Sequence, residues 1–280
     1  MEKLIHHYTT LNTLALILRT KKIRFNRLDR VDDVTESMIY GEYDLSKYLF
    51  VSCWTSEQNE SIPQWHMYTE GMKGVRISFN KDMFNYKPLN PIKESFVKEG
   101  DVLSPIPFES LFTDDYIIIP NFTNKNNFER KVEYVDNPYV YYKDAVDLRR
   151  NPDGTSNIQI KEVQKLAMYK NEEWSFQKEF RFVLFILPGY PIPEGGISDE
   201  KYNSEMPSFV LKSIINGVAP KIDYFDVELK QEVLDNIEVT LGPLHNCGDK
   251  IIVESLLEKY TKNGKVSESK LTGNIRIPKR

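Results

Sequence analysis

In NEEWSFQKEFRFVLFIL, residues 171 to 187, five charged side chains crowd the first eleven positions before the segment turns apolar. Read with the two-residue period of a strand, Glu179, Arg181 and Val183 share one face while Phe180, Phe182 and Leu184 share the other. At strand rise the carboxylate and the guanidinium emerge about 6 to 7 Å apart, close enough for a direct ion pair or a shared ligand. The arginine would hold the carboxylate ionised and orient it, which prepares it for chemistry or simply braces a strand edge as a salt bridge.

Three other segments place polar or aromatic groups beside apolar strands: IHHYTT at 5 to 10, FVSCWTSE at 50 to 57 and IPQWHMYTEGMKGVRISF at 62 to 79. Half-buried polar groups are costly unless paired, so such groups at element ends point to a lined cleft. His7 and Tyr8 close the first strand, where a histidine can bond a sugar hydroxyl or cap the next turn. His6 faces the other way, so the two histidines are not expected to serve one site. Trp65 and Tyr68 fall on one helix face and can form a stacking wall for a flat ring or part of the core. Cys53 reads as a small buried residue and Ser52 as a polar group on the opposite strand face.

The elements that must carry these groups follow from spacing. An apolar strand from Lys3 to Tyr8, a helix over about 11 to 20 behind the caps Thr9 and Thr10, and the alternating KKIRFNRL make a strand-helix-strand opening. VDDVTESMIYGEYDLSKY is expected to be helical, weakened by Gly41. LFVSCWT reads as a buried strand, IPQWHMYTEGMKG as a short helix with Pro63 in its first turn, and GVRISFN as a strand. Residues 81 to 130, with prolines at 88, 91, 105, 107 and 120, read as a loop-rich insertion, with room for a hairpin, that is not expected to carry function. A helix is predicted for about 157 to 172, followed by the strand that opens at Glu179. Further helix is predicted for SFVLKSIINGVAP and near 223 to 235, then the strand IEVTLGP and a last helix DKIIVESLLEKY. The expected organisation is one α+β domain over 1 to 265, with a tail from 266 to 280 whose basic side chains are solvated.

Hydrophobic residues at 40% and charged residues at 28% are ordinary for a folded globular chain, whereas 16 Tyr, 15 Phe and 3 Trp make an aromatic surplus. That surplus suits sheet packing or a cleft for flat ligands. A net charge of -4 argues against broad contact with a phosphate backbone, although a local basic groove stays open. Cys53 and Cys247 form no disulfide framework, the amino terminus has no signal-peptide pattern, and no apolar run reaches about eighteen residues. A cytoplasmic protein with no membrane partner is the expectation. Four histidines without metal-ligand spacing, and no CxxC, predict no metal.

The four segments, in order, resemble the signature of a large family of bacterial and phage proteins known only as a domain of unknown function. Members begin with a strand ending in H-Y-T, then a helix and a strand leading to a D-x-x-E-like turn, here Asp33 and Glu36. They continue with F-x-S-C-[FW]-[ST], W-x-x-Y, G-x-x-I-x-F and W-x-x-E-x-E-x-R, which here read FVSCWT, WHMY, GVRISF and WSFQKEFR. The resemblance spans about 5 to 260. It departs at Gln177, where an acidic residue is common, leaving Glu179 the sole carboxylate before the arginine, and at Thr69, where a glycine often follows the tyrosine.

More distantly, the arrangement is similar to the ADP-ribosyltransferase-like superfamily. That likeness implies an α+β fold with a mixed, split sheet flanked by helices. It implies NAD, or a related nucleotide, as substrate, with no metal. Glu179 takes the catalytic role, His7 the ribose-binding role and Tyr68 or Trp65 the stacking role. Tyr8 and Arg181 complete the implied ligand contacts, Arg181 orienting Glu179 or binding a phosphate, with Arg24, Arg27 and Arg76 as further phosphate candidates. Cleavage of the nicotinamide-ribose bond develops an oxocarbenium-like centre that a fixed carboxylate stabilises. The acceptor is a protein, a nucleic acid, a small molecule or water, in a toxin or phage-defence setting. The alternative is a non-catalytic nucleotide- or nucleic-acid-binding protein of the same fold, in phage defence or counter-defence; in the plainest reading the polar motifs only brace the sheet.

Overall fold

The computed structural model describes residues 4–38, 40, 43–89, 102–150 and 156–276. β1 (Ile5–Thr9) passes through Thr10 into α1 (Leu11–Thr20) and then β2 (Lys22–Arg27). The Thr10 hydroxyl caps α1 by accepting from the Thr13 N–H at 3.1 Å, and Leu14, Ile17 and Leu18 bury one face of the helix. β3 (Leu49–Thr55), α2 (Ile62–Tyr68) and β4 (Val75–Phe79) lie where the apolar run, Pro63 and the alternation predict them.

Six more strands complete one mixed sheet of ten: β5 (Tyr116–Ile119), β6 (Glu129–Lys131), β7 (Glu179–Pro188), β8 (Tyr224–Glu228), β9 (Glu238–Leu241) and β10 (Lys265–Glu268). The order is β8-β2-β3-β1-β4-β9-β10, with β7 along β3 and with β5 and β6 pairing to β7. Every pair is antiparallel except β9 with β10. β7 is buried along its whole length. Its period of two sends Phe180, Phe182, Leu184 and Ile186 into one apolar core and Val183, Phe185 and Leu187 into a second on the opposite face. Glu179 and Arg181 belong to that second face by the same alternation.

The sheet splits along β3. One edge of β3 pairs with β7 from Thr55–Glu179 to Leu49–Phe185. The other edge is shared: Thr55 pairs with His6 of β1, whereas Val51 and Phe50 pair with Asn26 and Arg27 of β2. Among the described residues, Ser52, Cys53 and Trp54 have no ladder partner on that edge, because β1 and β2 diverge across them. The His7 ring fills part of the gap, its Nδ1 donating to the Cys53 carbonyl at 2.9 Å.

Several expected helices are replaced for local reasons. Residues 31 to 48, apart from 39, 41 and 42, which lie outside the described residues together with the weak point expected at Gly41, form two short 3₁₀ turns, Val34–Ser37 and Leu45–Tyr48. There the Asp33 and Asp44 carboxylates bond the backbone N–H groups of Thr35 and Ser46, which competes with helical bonding. Residues 157 to 172 are not a helix: Ser156–Ile160 is a strand against Val146–Arg150, and Tyr169–Asn171 is a strand parallel to Glu133–Val135. Glu162 and Ala167, between those strands, adopt positive φ values of 46° and 59°, which no helix tolerates. SFVLKSII does lie within α3 (Glu200–Ile215), but the region near 223 to 235 holds β8 and only a short helix, Gln231–Asp235. The last helix, α4 (Cys247–Tyr260), starts earlier than predicted behind a capping box of Asn246 and Asp249.

The loop-rich stretch 81 to 130, of which 90 to 101 lie outside the described residues, contributes β5 and β6 to the main sheet and a two-stranded ladder of Lys87–Pro88 with Leu103–Ser104. Near the carboxyl end, β10 joins the sheet, and the Ser269 hydroxyl and the Lys270 N–H both donate to Glu60. Lys3, at the start of the first expected strand, and residues 277 to 280 of the expected tail lie outside the described residues.

Candidate functional site

A cavity of about 290 Å³ opens where β1 and β2 diverge. β1 lines it with His6, His7 and Tyr8, β3 with Cys53, Trp54 and Thr55, and α2 with Gln64 and Tyr68. Asp32, Gln177 and Glu179 reach it from three other segments. The structure thus brings His7, Tyr8, Tyr68 and Glu179 together and leaves Trp65 and Arg181 outside the lining.

Glu179 is held by an ion cluster. Arg181 Nε donates to its Oε1 at 2.6 Å and Nη2 to its Oε2 at 3.0 Å. The same guanidinium clasps Glu36 through Nη1 at 2.6 Å and Nη2 at 2.7 Å, and Nη1 also donates to the Ala167 carbonyl. Lys170 Nζ lies 3.1 Å from Glu36 and 3.6 Å from Glu179. Burial by itself raises the Glu179 pKa, but Arg181 and then Lys170 outweigh it and bring the value down to about 2. Burial, then the Glu179 charge, pushes the Cys53 thiol well above its usual range, so it is no nucleophile near neutral pH.

Arg181 is only 1% exposed and its donors face protein acceptors, so it orients Glu179 and has no surface for a phosphate. Trp65 is likewise fully buried, its indole donating to Glu60 at 3.0 Å and packing edge to face on Tyr8. The expected stacking wall therefore reduces to Tyr68. The Tyr8 ring is itself nearly buried, and its hydroxyl accepts from the Ser61 N–H at 2.9 Å, which seats the start of α2.

Tyr68 donates its hydroxyl proton to Asp32 Oδ2, and Gln177 Nε2 donates to the Tyr68 oxygen at 2.6 Å and to Asp32 at 3.3 Å. Burial, then Asp32, raises the Tyr68 pKa, so the phenol stays protonated. Burial lowers the pKa of His7, so its imidazole is neutral at pH 7, with Nδ1–H on the Cys53 carbonyl and Nε2 left as an acceptor. His6 also borders the cavity, but its Nδ1 bonds the Ser78 hydroxyl at 2.8 Å and burial brings its pKa down to about 4.

A second concavity, about 380 Å³, shares His7, Tyr8, Asn26 and Tyr68 with the first and continues along α1 and β2 past Thr13, Lys22 and Arg24. Arg24 is paired with Asp226 at 2.9 Å, Arg27 with Asp29 at 2.7 Å, and Arg76 donates to the Gln58 carbonyl. Sequence reasoning missed Asp32 and Lys170 altogether and saw Glu36 only as part of a turn motif. In the sequence they sit among other polar and charged residues, RVDDVTES and MYKNEEW, so no local signal sets them apart. Among the described residues no group of three or more His, Cys, Asp and Glu is placed to hold a metal ion, and no helix is long and apolar enough to cross a membrane. No protein-family model matches the chain, and neither does any curated protein or solved structure.

Proposed function

We propose that the chain is an NAD-consuming enzyme, an ADP-ribosyltransferase or NAD glycohydrolase, working in the split of its sheet. The observation that carries this reading is a carboxylate, Glu179, held anionic in the wall of a cavity that it shares with a neutral His7 and with Tyr68. A carboxyl group with a pKa near 2 is no general acid at neutral pH. The chemistry left to it is electrostatic: stabilising the ribosyl cation that develops as nicotinamide leaves. Nicotinamide departs as a neutral base and needs no proton.

The rest of the site supports the same chemistry. Among the described residues, Asp32, Glu36 and Glu179 are ion-paired with two cations, Lys170 and Arg181, while Arg30 on the same lining is paired with Asp223, so the cluster is net negative and favours a cationic pyridinium and its transition state. His7 Nε2 accepts from a ribose hydroxyl, and the Tyr68 ring flanks the nicotinamide. A cavity of about 290 Å³ falls just under the roughly 300–1,000 Å³ of small-molecule sites. It suits the nicotinamide riboside half, with the adjoining concavity taking the remainder of the dinucleotide.

Nicotinamide release from NAD tests the proposal. Glu179→Gln is expected to lower the rate about 10²–10³-fold, the usual cost of removing a preorganised electrostatic group. A variant with native circular dichroism and undiminished release overturns it. One observation favours non-catalytic nucleotide or nucleic-acid binding instead: Glu179 is only 5% exposed and both its oxygens are bonded. A thermal shift with NAD, ADP-ribose or short DNA or RNA, without nicotinamide release, selects that reading.

A further inference from the structure

Glu179 is not the only carboxylate on the cavity. Lys170 Nζ lies 3.7 Å from Asp32 Oδ1 and 3.6 Å from Glu179 Oε2, so the two carboxylates flank a single ammonium. They stand no farther apart than those two contacts laid end to end, inside the roughly 9.5 Å ceiling of carboxylate pairs that activate a nucleophile at a sugar carbon. Their environments differ. The Glu179 side chain is 5% exposed on the cavity wall and doubly bonded by Arg181, whereas the Asp32 side chain is 30% exposed. Tyr68 and Gln177 donate to Asp32 Oδ2, and the Asp33 N–H donates to Oδ1 at 3.0 Å. Those bonds fix the carboxylate at the rim without closing it to solvent.

We infer that Asp32 is the base that receives the acceptor's proton, and that the acceptor is a neutral protic group, a hydroxyl or an amide. The inference rests on the NAD-cleaving reading. In the step it describes, the bond from C1′ to the pyridinium nitrogen breaks with its electron pair going to nicotinamide. The acceptor's lone pair forms the new bond to C1′, and its proton passes to the Asp32 carboxylate and then to solvent. An anionic acceptor would meet the Asp32 charge and gain nothing from a base.

The test compares nicotinamide release by the full chain, Asp32→Asn and Glu179→Gln, with water as acceptor and with sodium azide, a nucleophile that has no proton to lose. Asp32→Asn is expected to lose about 10²–10⁴-fold in release while still giving a thermal shift with NAD, and to be restored by azide with formation of an azido-ADP-ribose. Azide is expected to leave the wild-type chain and Glu179→Gln unaffected. Asp32→Ala, which drops the side-chain bonds altogether, has the same expected rescue and guards against a folding defect peculiar to one variant. A purely structural Asp32 would lower NAD binding or melting temperature and show no rescue. Full activity of Asp32→Asn, or azide failing to restore a folded, NAD-binding variant, overturns the inference while leaving the NAD reading intact. A wild-type chain that releases no nicotinamide overturns both.

Discussion

Arg181 shows what a buried guanidinium requires. Its side chain is 1% exposed, and its desolvation is offset only because Glu36 and Glu179 both meet it in paired, charge-assisted bonds. A lysine at the same place is a point charge and cannot reproduce that fork. Arg181→Lys is therefore expected to destabilise the fold by about 3–5 kcal/mol in urea denaturation, because a buried carboxylate loses its partner. An unchanged denaturation midpoint would show that the cluster is not tightly coupled. The pairing of Glu179 with Arg181 is legible in the sequence, because two residues of strand put them on one face. The second carboxylate, Glu36, is not legible, since it stands 145 positions away and meets Arg181 only after folding.

At the scale of elements, the site depends on how closely β1, α2 and β4 approach one another. Gly74, just before β4, has no room for a side chain: a Cβ there would overlap the Thr9 carbonyl oxygen and press on the Thr69 side chain. Its own N–H bonds the Thr69 carbonyl at 2.9 Å, and its carbonyl accepts from the Gly242 N–H at 2.8 Å, so the backbone has little freedom to retreat. Gly74→Ala is expected to cost about 1–3 kcal/mol by overpacking, read as a lower melting temperature. An unaltered melting temperature would mean that the turn yields more easily than its bonds imply. The alternations of β2, β4 and β7 and the apolar run of β3 are visible in the sequence because a strand's period and composition are local. The failures at 31 to 48 and 157 to 172 are also local in cause: aspartate-backbone bonds in the first and positive φ angles in the second, neither visible in apolar spacing.

Taken as a whole, the molecule couples its stability to pH through groups beside the split. His6 has its pKa brought from 6.5 to about 4 by burial, so the unfolded chain takes up a proton before the folded one as pH falls. Its contribution is complete above pH 6.5 and is lost between 6.5 and about 4, on the order of 3 kcal/mol. Glu179, depressed from 4.5 to about 2, adds a further loss as pH falls through that lower window. Urea midpoints measured from pH 7 to 4 are expected to fall, and His6→Asn should flatten the slope without abolishing it, since burial lowers the pKa of His7 in the same direction. An unflattened slope would assign the loss to other groups. The sequence by itself determined the strand-helix-strand opening, the two faces of β7 and the neighbourhood of Glu179 and Arg181, because these depend on periodicities of two and of three to four residues. Only the tertiary structure decided that Trp65 is core, that Arg181 is sealed from any ligand, and that Asp32, Lys170 and Glu36 complete the cluster. Those outcomes depend on which strands pair, in which register, and on where β1 and β2 part along β3, and such contacts between distant segments leave no mark on local spacing.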